Sequence, residues 1–237
     1  MGKIKPDLNV FQFGKTTLKI RKIYILIFYS AAFLIMACGE QRKYHDTAEE
    51  AIEESPISAI NDILKFQRDL NKTFKDPKTS PLPDRYRKNF EGLDFFAPDT
   101  NYVVTATLVR TPNAIPFMMP TTTNDQSREV VYGVAHFELK GKAYQLEIYQ
   151  SPEQSKEEGY ENYLFLPFLD QTNDNQTYAG GRYIDLEIPK GAHIQIDFNK
   201  AYNPYCAYNK KYSCPIVPKV NDLKTEIKAG VKDFNKK

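Results

Sequence analysis

The strongest constraint on this chain is a change of hydrophobic period near Tyr102. Before that point, Ile60, Ile63, Leu64, Leu70 and Phe74 recur at helical spacing up to about Lys75. Ser55-Pro56 starts the run, with proline at a first helical position, where its missing N–H costs nothing. Pro77, Pro81 and Pro83 mark the following stretch as a loop. From Tyr102 the period is two. Tyr102, Val104, Ala106 and Leu108 alternate with Val103, Thr105, Thr107 and Val109. Val131, Ala135, Phe137 and Leu139 line one face of the next run, Gly141-Lys142 turns the chain, and Tyr144, Leu146 and Ile148 line the return. Residues 163–169 are almost continuously apolar and read as a central strand. Ile184, Leu186 and Ile188 share a face. Pro189-Lys190-Gly191 then turns the chain as if closing a tight hairpin, and Ile194, Ile196 and Phe198 face the core. One helix followed by six such runs predicts a mainly β protein with an N-terminal α-helix, built as an antiparallel β-sandwich or a small barrel-like sheet.

Ahead of the helix, Lys15, Lys19, Arg21 and Lys22 precede residues 23–37, which carry no charge. A charged region followed by an apolar core is the pattern of a secretory signal, and the run is shorter than the ~20 apolar residues a transmembrane helix needs. It closes Leu34-Ile35-Met36-Ala37-Cys38, which resembles the bacterial lipobox: an aliphatic residue three before the cysteine and a small one just before it. Residues 1–37 thus read as a lipoprotein signal peptide and Cys38 as the lipidated first residue of the mature protein. That protein would be membrane-anchored in the cell envelope, outside the cytoplasm. The competing reading is a short signal anchor with Cys38 an unmodified thiol. Residues 38–56 form a polar tether and short helix, which Thr47-Ala48-Glu49-Glu50 opens as a capping box. Residues 57–237 form a single domain.

The signal also carries the apparent basicity. The chain has 32 basic and 30 acidic residues; six of the basic ones and Asp7 precede Cys38, leaving 26 and 29, a formal charge of −3. No basic stripe interleaves with aromatics, so nucleic acid is not an expected partner.

Several segments carry a resemblance. Phe90-Glu91-Gly92-Leu93-Asp94-Phe95-Phe96 is the first; Phe168-Leu169-Asp170-Gln171-Thr172 follows, and then Thr177-Tyr178-Ala179-Gly180-Gly181-Arg182-Tyr183. A long block runs Asp197-Phe198-Asn199-Lys200-Ala201-Tyr202-Asn203-Pro204-Tyr205-Cys206-Ala207-Tyr208-Asn209, followed by Ser213-Cys214-Pro215 and Ile227-Lys228-Ala229-Gly230. Together they resemble the DUF1684 family of bacterial and archaeal proteins over roughly residues 58–231. That family is a domain of unknown function, so the resemblance implies no activity. Where the family usually has Glu-Asn-Arg-Leu, this chain has Val220-Asn221-Asp222-Leu223. Asn221 and Leu223 are kept, and any role resting on the two lost charges does not carry over.

Arg182 is the sharpest polar feature. By strict alternation it shares the inward face of Ile184 and Leu186, and a buried guanidinium requires a carboxylate or a ligand anion. Asp170, Asp185 and Asp197 are the conceivable internal partners, and a bulge at the glycine pair could instead turn Arg182 out to solvent. His193, Gln195, Asp197 and Asn199 share one face, either a site wall or a solvated outer surface. Asp185 and Glu187 alternate as a wet face or an acid/base pair. Cys206 and Cys214 lie in a loop rich in Asn, Pro and Tyr, and a disulfide is permitted in an exported protein. Closing that loop would stabilise by about 2.6 kcal/mol. Packed free thiols and metal or redox work are the alternatives. No metal or cofactor is expected: His136 lacks neighbours at ligand spacing, and Gly180-Gly181 lacks the spacing of nucleotide loops.

Three functional readings stay open. The first is a β-scaffold binding module presenting Arg182, Tyr183, Asp197, Asn199, Tyr202 and Asn203 to a small polar or anionic ligand. The second is a hydrolase-type enzyme using a carboxylate such as Asp197 with Arg182 as clamp. The third is a structural envelope lipoprotein whose polar loop contacts another protein. The anchor itself is testable. Cys38→Ala should abolish incorporation of labelled fatty acid and release the chain from membranes; undiminished labelling of the variant would refute it.

Overall fold

The computed structural model describes residues 56–234. The expected signal peptide, Cys38 and the helix expected from Thr47 lie outside the described residues. Helix α1 spans Pro56–Lys75, and a single turn, α2, spans Asp84–Arg87. Seven strands follow: β1 Val103–Arg110, β2 Phe117–Pro120, β3 Gln126–Leu139, β4 Lys142–Gln150, β5 Tyr163–Phe168, β6 Arg182–Glu187 and β7 His193–Asp197. Among the described residues no helix is long and apolar enough to cross a membrane.

The strands form one antiparallel sheet in the order β6-β5-β4-β3-β1-β7, with β2 pairing only the first part of β3. Of the two architectures open to the sequence, this is the barrel-like one: a single curled sheet, a half-barrel. Lys140 and Gly141 form the two-residue turn between β3 and β4, one position earlier than expected, because Leu139 pairs directly with Lys142. A bulge between Val131 and Gly133 bends β3 and adds local twist. The tight hairpin expected at Pro189-Lys190-Gly191 does not form. β6 pairs with β5 and β7 with β1, so the two strands occupy opposite edges of the sheet. The edges meet only past β7, where the Tyr183 amide donates to the Tyr202 carbonyl (2.9 Å) and the Tyr202 amide to the Tyr183 carbonyl (3.0 Å).

The main core lies on the face where alternation placed it. Val104, Ala106 and Leu108 of β1, Ala135 and Phe137 of β3, Leu146 and Ile148 of β4, and Ile194 and Ile196 of β7 pack together. Each fully buried aliphatic or aromatic side chain contributes about 1.5–3 kcal/mol. β5 is almost wholly buried because both of its faces are covered. On the opposite face, Met119, Tyr149, Phe165, Tyr183 and Val217 form a second cluster. Helix α1 packs Phe74 into a third cluster with Leu82, Leu93 and Tyr208. The seventh strand, β2, escaped the alternation pattern because three of its four residues are exposed and only Met119 is buried.

Arg182 opens β6 pointing into the core, as parity required, and its side chain and that of Asp170 are both 0% exposed. The guanidinium donates to Asp170 Oδ2 (2.7 Å), to the Ile227 carbonyl (2.8 Å) and to the Ala229 carbonyl. Asp170 Oδ1 accepts from the Thr172 amide (2.9 Å) and hydroxyl (2.6 Å) and from the Ile227 amide (3.1 Å). Gly181, with φ +88°, has no room for a side chain: a Cβ there would sit 2.6 Å from the Phe168 carbonyl oxygen. Gly230, with φ +79°, is equally confined, 2.6 Å from the Ala201 carbonyl oxygen. The retained Asn221 fastens the same end of the sheet. It donates to the carbonyls of Glu147 (2.8 Å) and Pro167 (2.7 Å) and accepts from the Glu147 amide (2.8 Å). Leu223 is buried, while Val220 is exposed, so only the kept positions of that motif face inward. Breaking the buried pair with Arg182→Ala or Asp170→Asn should cost about 3–5 kcal/mol of stability, read from urea unfolding. A loss under about 1 kcal/mol would show that the pair is not what joins these segments.

Candidate functional site

One cavity of about 450 Å³ lies where α1, the β5–β6 edge and the loop after β7 converge. That size is within the range of small-molecule sites, about 300–1,000 Å³. Its walls are dominated by Tyr160, Tyr163, Tyr183, Tyr202, Tyr205 and Tyr212. Phe66 and Leu70 of α1 complete the apolar lining. The rings meet in pairs: Tyr160 with Tyr163 at 5.8 Å, Tyr183 with Tyr202 at 6.0 Å, and Tyr205 with Tyr212 at 5.3 Å between centroids. Edge-to-face and tilted pairs of this kind fix ring orientation.

Asp185 is the one carboxylate of the lining among the described residues. Its Oδ1 accepts from the Tyr163 hydroxyl (2.8 Å) and the Tyr202 hydroxyl (2.6 Å). Burial, and then the charge of Asp185, push both phenols above the ordinary tyrosine pKa, so they remain neutral donors. The Tyr183 hydroxyl is also committed, donating to the Pro215 carbonyl. Among the described residues no lysine or arginine pairs with Asp185. A neighbouring groove shares Tyr160, Tyr163 and Asp185 and adds Glu187, Asp197 and Lys200. Lys200 there is bonded to Asp62 and lies 3.9 Å from Asp197.

Of the ligand-binding candidates singled out from the sequence, the structure brings Tyr183 and Tyr202 into this cavity, where they join Asp185, weighed before as a partner of Arg182 or of Glu187, and Cys214. Arg182 is spent on Asp170 and two carbonyls, so the internal salt bridge accounts for it and an outside anion does not reach it. Asn199 is buried and ties down residue 99, accepting from the Asp99 amide (2.9 Å) and donating to its carbonyl (2.9 Å). Asn203 donates to the Lys232 carbonyl (2.9 Å). Asp197 caps the turn after β7, accepting from the Asn199 amide (2.9 Å) and side chain (2.8 Å), and burial raises its pKa. It borders the neighbouring groove, and nothing joins it to Arg182, so the carboxylate and clamp of a hydrolase are not assembled. His193 is exposed on β7. Among the described residues no cluster of His, Cys, Asp and Glu could hold a metal ion.

Cys206 and Cys214 are thiols here rather than the bridge read from the sequence. The Cys206 amide donates to Cys214 Sγ at 3.2 Å, and the Tyr178 hydroxyl stands 3.9 Å from Cys206 Sγ. Hydrogen bonding from Cys214 draws the Cys206 pKa down to about 6 and pushes Cys214 the other way, so Cys206 is the sulfur that ionises. Cys214 also borders the tyrosine cavity.

The sequence reading passed over Tyr160, Tyr163, Tyr205 and Tyr212. The signal available was the density of tyrosine itself, 16 against no tryptophan, and its recurrence at 202, 205, 208 and 212. Periodicity does not separate the tyrosines that line a cavity from Tyr208, which is buried under α1.

The fold recurs elsewhere. A solution NMR structure of an uncharacterized protein from gene locus rrnAC0354 of Haloarcula marismortui is 32% identical, with a TM-score of 0.57, covering 73% of this chain and 92% of that one. No curated protein matches. The family model described as a protein of unknown function, DUF1684, matches residues 88–232, and the chain therefore belongs to the DUF1684 family.

Proposed function

We propose that this protein is an exported, lipid-anchored binding module that holds a small polar ligand in the tyrosine-lined cavity. The carrying observation is Asp185, a carboxylate set among six tyrosines and bonded by two of them, with no cationic partner among the described residues. Fixed rings and pre-oriented hydroxyls suit recognition, since little entropy is lost when a ligand seats on them. Among the described residues the lining holds no lysine or arginine, so the geometry favours a polar ligand over an anionic one. The signal and Cys38 would deliver this module to a membrane surface outside the cytoplasm. In that oxidising compartment the Cys206 thiolate and its neighbour Cys214 would close as a disulfide, stiffening the loop that carries Tyr205 and Tyr212.

Two measurements test this reading. A thermal-shift screen of small polar metabolites against the full chain in a nonionic detergent should find a compound that stabilises it. At 100-fold excess over Kd the gain is about 2.7 kcal/mol. Tyr205→Ala, at a cavity residue 37% exposed, should remove that shift while leaving the unliganded melting temperature nearly unchanged. A screen without hits, or hits indifferent to the variant, would overturn the site. Separately, non-reducing peptide mapping of protein isolated from the envelope should recover Cys206 and Cys214 as one linked peptide, and two free thiols would rule the bridge out.

A further inference from the structure

We infer that the cavity takes a small organic cation, specifically one bearing an alkylated ammonium group. This rests on the cavity being a ligand site. Three features of the lining lead to it.

The first is charge. Among the described residues of the lining Asp185 is the one carboxylate, and no lysine or arginine joins it there. The groove that continues past Tyr160 and Tyr163 adds Glu187 and Asp197, and its Lys200 is already held by Asp62. The local field along this edge is therefore negative, which concentrates cations and repels anions.

The second is how the hydroxyls are used. Tyr163 and Tyr202 donate to Asp185, and Tyr183 donates to the Pro215 carbonyl. What these residues have left to offer an occupant is mainly ring surface. Aromatic faces carry negative quadrupole charge and attract a cation placed within about 6 Å of the ring centre. A neutral polyol would find three of the six tyrosine hydroxyls already engaged. An ammonium with its N–H groups intact would also need several acceptors, and Asp185 is the one carboxylate among the described lining residues. Alkyl groups on nitrogen remove that requirement while keeping the charge.

The third is the arrangement of the rings. They arrive from separate parts of the chain: Tyr160 and Tyr163 from the approach to β5 and its start, Tyr183 from β6, and Tyr202, Tyr205 and Tyr212 from the loop after β7. Rings drawn from separate parts of the chain, in pairs at 5.8, 6.0 and 5.3 Å, offer an occupant more than one aromatic face beside Asp185. The cavity, at about 450 Å³, leaves room for a trimethylammonium group and a short polar tail.

The test uses choline and its uncharged isostere 3,3-dimethylbutan-1-ol, which replaces the nitrogen by carbon at nearly the same shape. Binding of each to the full chain in a maltoside detergent is measured by equilibrium dialysis. Choline should bind at least tenfold more tightly than the isostere, and raising the salt concentration should weaken choline alone. Asp185→Asn should weaken choline at least tenfold and leave the isostere unchanged. Tyr212→Leu keeps an apolar wall but removes a ring, and should also weaken choline preferentially; it decides the question if the Asp185 variant does not fold. Equal affinity for both compounds, lost together in Tyr212→Leu, would overturn the cationic class while leaving the cavity a ligand site. Failure of choline to bind also overturns the class, and the metabolite screen then judges the cavity on its own.

Discussion

The buried pair of Arg182 and Asp170 is the constraint on which the rest of this structure turns. A guanidinium cannot be left in a core without partners, because an unpaired buried charge is more costly than almost any other defect. Asp170 neutralises the charge, and two carbonyls take further donors. Those carbonyls belong to residues 227 and 229, so satisfying one side chain draws the end of β5, the start of β6 and a distant segment to one point. From there the pairing propagates. Phe96 donates its amide to the Gly230 carbonyl, and Val231 donates to the Ala201 carbonyl. Residues 201–203 are thereby held against the start of β6, where Tyr202 bridges Tyr183. The tyrosine cavity follows from this geometry, since its rings sit on the edges that the buried pair draws together.

Much of the framework was legible in the sequence because it obeys simple periods. The helix, the alternation of β1, β3, β4 and β7, and the inward parity of Arg182 all follow from which faces must avoid water. β2 was not legible, since an exposed four-residue strand leaves no periodic trace. The strand neighbours of β6 and β7 were misread for a different reason. A short connection containing proline and glycine suggests a hairpin, and nothing local reveals that the sheet curls enough to place consecutive strands on opposite edges.

The site was less legible than the fold. Arg182 and the asparagines drew attention because polar groups near apolar runs are unusual, and that rarity reflects their structural work. Asn199, Asn203 and Asn221 each bind backbone groups where the chain leaves regular structure. The residues that line the cavity are mostly tyrosines, which pack in a core and line a pocket with equal ease. Their convergence depends on tertiary placement, and Asp185 gains its meaning only from the two hydroxyls that approach it.

The long reach of Arg182 also bears on when the protein can fold. Its carbonyl partners lie 45 and 47 residues further along the chain. During synthesis the β-strands emerge well before residues 227 and 229 exist, so Arg182 at first has Asp170 but not its two carbonyl partners. Contacts of such sequence separation form slowly, because loop closure must precede any reward. Until the final segment is made, the guanidinium therefore lacks two of its three hydrogen bonds.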